Sequence, residues 1–138
     1  MRVIGIFLAA GLAMAQAPTY EPVANVGQIM QGIVQPAQKA IQDAAKEQGP
    51  PDARAWRAAQ VNGIMLQEAA QLLLIGNRAK DTEGWVKAAH AMSEVGAATA
   101  KAAEAKDLAA LQSAATGMNA TCQGCHSVYR PRGGQKKQ

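Results

Sequence analysis

Residues 107–130 read DLAALQSAATGMNATCQGCHSVYR, and this stretch decides what surrounds it. Asp107 is placed to cap a helix. Leu108, Leu111, Ala115 and Met118 then recur at steps of three and four, which puts them on one face of an α-helix. Pro131 and Gly133-Gly134 follow and end it. A helix of about 24 residues is about 36 Å long. With one apolar stripe it needs helical partners of similar length.

Three such partners can be read upstream. The first runs from about Val23 to Lys46, with Val23, Val26, Met30, Ile33, Ala37, Ile41 and Ala44 on its apolar stripe. Gln28, Gln31, Gln35, Gln38 and Gln42 form the opposite stripe. Pro36 removes one backbone donor inside this segment and predicts a kink there. Gly32 either lets the helix approach a bound ring closely or relieves a clash with Pro36; both readings stay open. Gly49-Pro50-Pro51 ends the segment and Asp52 caps the second helix. That helix runs to about Ile75, with Trp56, Ala59, Met65, Leu66, Ala69, Leu72 and Leu73 inward. Gly76-Asn77 stops it. Asp81 or Thr82 caps the third, which reaches about Ala105 with Trp85, Ala89, Met92 and Val95 on one face. No strand-like alternation interrupts the series. Matched helices with short connections predict an all-α fold: an up-down-up-down antiparallel four-helix bundle.

Composition agrees. At 138 residues the chain is one domain long. Its hydrophobic content is 49%, much of it alanine, and aromatics are only 4%. Such a core is short of bulk, which a large prosthetic group would supply. The formal charge is +4, but Arg130, Arg132, Lys136 and Lys137 crowd the C-terminal end with no acid among them. Without these and Arg2, nine basic residues face ten acidic ones. The basic character therefore belongs to the tail, residues 131–138 with Arg130, and not to a nucleic-acid-binding face. It suits docking on an acidic partner or a membrane surface, or simply a solvated terminus.

The N-terminus reads as an export signal. Arg2 is the basic start, Val3 to Leu12 the apolar run, and Ala13-Met14-Ala15 and Ala15-Gln16-Ala17 are overlapping small-x-small sites. Pro18 hinders cleavage at the second, so residues 1–15 (at most 1–17) are expected to be removed, leaving a bundle domain of residues 16–130. The apolar run is too short to span a bilayer, and no later segment approaches 18 continuous apolar residues. The expected location is the periplasm, with no integral membrane segment in the mature chain.

Export sharpens the meaning of the cysteines. There are two, and Cys122-Gln123-Gly124-Cys125-His126 is the C-x-x-C-H pattern that attaches haem c. Residues three apart share a helical face, so both sulfurs can reach one edge of a porphyrin. His126, one turn from Cys122, can then ligate the iron. The rivals lack support. A thioredoxin-like C-x-x-C needs a βαβ context. A structural zinc needs four ligands, and His90 is the sole further histidine. A di-iron bundle needs Glu-x-x-His pairs, which are absent. One covalently bound haem c, with iron, is the expected cofactor.

A second iron ligand should come from helix ends near that of helix four. Met30, two turns into helix one, fits, with His90 and Met92 as competitors. Met118 shares the face of His126, and Met65 lies too far along its helix. Trp56 and Trp85 read as core or haem-edge packing, and His90 as a structural or surface residue.

A late C-x-x-C-H followed by Tyr129-Arg130, closing an Ala-rich bundle, resembles the class II c-type cytochromes, the cytochrome c-prime family. Ala102-Ala103-Glu104-Ala105-Lys106-Asp107-Leu108 is similar to that family's third loop and fourth helix. The resemblance implies that Met30 stands where the low-spin branch has its distal Met ligand. It implies a haem propionate as a partner for Arg130, which as a helix-end charge equally favours the C-terminal dipole. It also implies that homodimers are common, although no residue marks an interface. Pro36 and the glutamine stripe depart from the family pattern.

With Met30 and His126 both on iron, the expected function is one-electron transfer between periplasmic redox proteins, through brief encounters of small area. The alternative is a five-coordinate, high-spin protein that binds NO or CO. Catalysis is not expected, since no second cluster of acid, base or metal ligands is visible.

Overall fold

The computed structural model describes residues 21–130. The predicted signal peptide and residues 131–138 lie outside the described residues. Four helices fill this span, and no strand occurs among the described residues. Helix α1, residues 26–44, has three consecutive pieces: an α-helical turn Val26–Ile29, a π-helical turn Met30–Val34 and an α-helix Gln35–Ala44. Helix α2 is Ala53–Leu72, α3 is Gly84–Ala105 and α4 is Leu108–Tyr129. A 3-10 turn, Gly76–Arg78, lies between α2 and α3. None of these helices is long and apolar enough to cross a membrane.

The caps explain the boundaries. Asp52 accepts the Ala55 N–H at 2.7 Å and Asp107 accepts the Ala110 N–H at 2.9 Å, as the sequence predicts. Ahead of α3 it is Asp81, not Thr82, that takes the Glu83 and Trp85 N–H groups, at 3.0 and 2.9 Å. Helix α1 starts at Val26 because Asn25 and Gln28 exchange hydrogen bonds of 2.9 Å in a capping box. Val23 therefore falls outside the helix and is 96% exposed, not on the apolar stripe. Met65 is also displaced from its expected inward position and is 39% exposed, while Leu66 beside it is buried.

The core joins all four helices: Ile29, Val34 and Ile41 from α1, Leu66 from α2 with Leu73 at its C-terminal cap, Trp85 and Met92 from α3, Leu111 and Met118 from α4. Burying each such large side chain contributes about 1.5–3 kcal/mol. Contacts join opposite ends of neighbouring helices. Trp85, at the start of α3, donates its indole N–H to the Leu73 carbonyl at the end of α2, 2.9 Å away. Tyr129, at the end of α4, donates its hydroxyl to Asp81 just before α3, at 2.5 Å. Gly49, beyond the end of α1, lies against Leu108 at the start of α4. The buried Arg78 ties the approach to α1 to the end of α2, donating to the Ala24 and Leu72 carbonyls at 2.9 Å each.

Candidate functional site

The last turns of α4 bring Cys122, Cys125 and His126 to the wall of a cavity of about 320 Å³. Met30 and Val34 of α1 lie on the same cavity, with Leu73, Trp85, Ala89 and Met92 as further apolar lining. The small side chains of Ala88 and Ala89 leave the space that a larger residue would fill. Polar groups contributed by Gln35, Gln38, Asn119 and Gln123 also line it. A cavity of this size, largely apolar with a few convergent polar groups, has the ordinary character of a cofactor site.

The sequence candidates separate clearly. Cys122, Cys125, His126, Met30 and Arg130 all line this cavity. So does Met92, one of the two competitors for the second ligand position. His90, the other, is exposed and does not line it. Met118 is buried in the core and Met65 faces outward on α2, and neither lines the cavity. Trp85 is a cavity residue, whereas Trp56 packs half-buried against the core.

Electrostatics distinguish these cysteines from redox nucleophiles. Burial pushes both thiols above their ordinary range, and the neighbouring Cys125 raises Cys122 further. A dithiol oxidoreductase needs the opposite shift, toward a ready thiolate. Among the described residues, no three His, Cys, Asp or Glu side chains gather to hold a metal ion. The donors instead spread over a cavity wall: two half-buried thiols three residues apart, an imidazole next to the second, and a thioether on another helix. That donor set fits a flat macrocycle tethered at its edge and ligated at its centre.

The site's frame rests partly on contacts that no sequence pattern signals. Tyr129 lies edge-on to Trp85, with ring centroids 5.0 Å apart, and its hydroxyl reaches Asp81. This clamps the last turn of α4, which carries His126, to the start of α3. Asp81 holds the tyrosine pKa up to about 12, and the same bond leads the influences that lower Asp81. The glutamine stripe is also engaged. Gln28 belongs to the capping box, and Gln38 and Gln42 donate to Asn119 of α4 at 3.3 and 2.8 Å. The stripe was visible in the sequence, but its partner Asn119 is about eighty residues away and no local pattern marks it.

Residues 78–130 match the family model described as Cytochrome C'. The match spans less than half of the chain, from the turn before α3 to the end of α4, and includes the C-x-x-C-H motif. No curated protein and no solved structure matches the chain. The match supports the cytochrome c-prime family, which implies haem c with iron and a role as an electron carrier or gas-binding protein. Proteins of this family are typically exported. Met30 lies outside the matched residues.

Proposed function

We propose that the chain is a periplasmic one-electron carrier with a single haem c, attached through Cys122 and Cys125 and ligated by His126 and Met30. The observation that carries this reading is the cavity itself, where both thiols and His126 on α4 share one space with the Met30 thioether on α1. A bound haem supplies a one-electron ferric/ferrous couple.

The chain's own residues account for the rest. The two thiols would supply the thioether tethers. His126 holds the iron from α4. Met30 is favoured over Met92 because of where their helices lie. Helix α3 packs directly along α4, whereas α1 and α4 touch sparsely. A flat group held by His126 on that side of the bundle would find its second ligand on α1. Thioether ligation and apolar surroundings such as Val34, Leu73 and Ala89 favour the reduced state and raise the potential. Arg130, exposed at the cavity, would pair with a propionate. The helices read as an up-down-up-down bundle, with the export signal removed and the basic tail available to acidic redox partners.

The test is the ferric absorption spectrum of the haem-loaded protein. Methionine ligation predicts a far-red charge-transfer band that Met30→Ala abolishes. A high-spin wild-type spectrum, with ready CO binding on reduction, would refute electron transfer in favour of gas binding.

A further inference from the structure

Helix α1 differs from the other three in not being α-helical throughout. At the π-helical turn Met30–Val34 the Gln35 N–H reaches back five residues, to the Met30 carbonyl. Pro36 follows at once, in the first turn of the next α-helical piece. Its ring offers no N–H and presses on the carbonyl four residues earlier, that of Gly32. A widened turn relieves that clash. Gly32 itself is exposed, does not line the cavity, and would accept a Cβ with nothing within 4 Å beyond its chain neighbours and the adjoining backbone of its own helix. Close packing therefore does not require the glycine, and the proline is the residue that calls for the wide turn.

A π turn acts like one residue inserted into an α-helix. Everything before it is carried round by about 100°, the angle per residue of an α-helix. The burial pattern records this. Ile29, Ala37 and Ile41 are all at most 2% exposed and share the core. In an uninterrupted α-helix, Ile29 would sit about 80° away from Ala37, and the inserted residue cancels most of that offset. The same rotation acts on the next position. Val34, Gln35 and Gln38 mark the direction of the cavity. Counting back from them at about 100° per residue, an uninterrupted helix would aim Gln31 at its centre and turn Met30 about 90° aside. In the structure Met30 lines the cavity and Gln31 is exposed.

We infer that Pro36 is a positioning residue for the iron site: by enforcing the π turn, it aims Met30 instead of Gln31 at the cavity shared with His126. The inference rests on the reading of Met30 as the second ligand. It is tested on haem-loaded full-length protein in four forms: wild type, Pro36→Ala, the exchange Met30→Gln with Gln31→Met, and the exchange combined with Pro36→Ala. The readouts are the ferric far-red band and the crystal structure of Pro36→Ala. Pro36→Ala should lose the band, as should the exchange alone, and the combined variant should regain it. A proline that merely stabilised the helix would not allow rescue by moving the methionine one position. Pro36→Ala with the band at wild-type intensity and the π turn intact overturns the inference, as does a combined variant without the band on a straightened helix. If the wild type has no band, the ligand reading fails, and the crystal structure decides the register alone. A straight α1 in Pro36→Ala with residue 31 at the cavity upholds it, and a persisting π turn overturns it.

Discussion

Where α2 meets α3, the two backbones lie almost in contact. A Cβ added at Gly63 would sit 2.7 Å from the Gly96 carbonyl oxygen and from the Ala100 amide nitrogen, and one added at Gly96 would sit 2.6 Å from the Gly63 carbonyl oxygen. Where α1 faces α4, the helices touch sparsely, and long amide side chains reach across from Gln38 and Gln42 to Asn119. The first seam excludes even a methyl group, while the second borders a cavity of about 320 Å³. An Ala-rich chain with few aromatics can close one side of its bundle by bringing backbones together. The other side then lacks the bulk to close and is available to a large group. The asymmetry is thus the structural counterpart of the composition.

The comparison can be broken most forcefully at the tight seam. Gly63→Leu should cost about 3 kcal/mol or more, because backbone atoms on α3 cannot move aside as side chains do. On α4, Gly117→Ala meets only Val95, at 4.0 Å. It should be neutral or stabilising by up to about 1 kcal/mol through lower backbone freedom in the unfolded chain. Chemical denaturation of both variants checks the contrast; equal losses would mean that the seam is no tighter than the rest of the bundle.

The open side should respond more gently. Asn119→Ala removes the acceptor for two amide bonds at the surface and should lower stability by about 1 kcal/mol. It should leave the helical content unchanged by circular dichroism. A loss as large as that of Gly63→Leu would show that the amide bridge carries the packing of α1 by itself.

The smallest effect should vary with pH. Tyr129 is raised to about 12 by its bond to Asp81, against an ordinary value of 10.0. The bond's contribution is complete below pH 10 and is lost as pH rises toward about 12, where the folded tyrosine ionises. The shift at Asp81 is downward, so its part is complete above the ordinary value of 3.8 and is lost as pH falls below it. Tyr129→Phe should therefore lower stability most between about pH 4 and 10, where the bond is complete, and approach the wild type toward both extremes. A variant that tracks the wild type from pH 10 to 12 would mean that the hydroxyl bond contributes nothing.

Much of this architecture was legible from local patterns. Asp52 and Asp107 stand as caps where the sequence put them, and the spacing of Cys122, Cys125 and His126 announced the site. The start of α1 was legible too, since Asn25 and Gln28 form a capping-box signature that the longer apolar stripe from Val23 overrode. Three features were out of reach. A uniform helical period cannot anticipate a phase change, so Pro36 signalled a kink but not the π turn that rotates Ile29 into the core. Met65 and Leu66 adjoin on α2, and which of two apolar neighbours turns inward depends on the packing of α3. Asn119 acquires its role only when the fold carries Gln38 and Gln42 to it.

Intact mass spectrometry of protein made in a host that matures c-type cytochromes bears most directly on the covalent site. The polypeptide should carry the added mass of one haem under denaturing conditions, and changing both Cys122 and Cys125 to Ser should release the pigment to acid-acetone. A wild-type chain recovered at its bare polypeptide mass would contradict the assignment of the cavity and every role proposed for its lining.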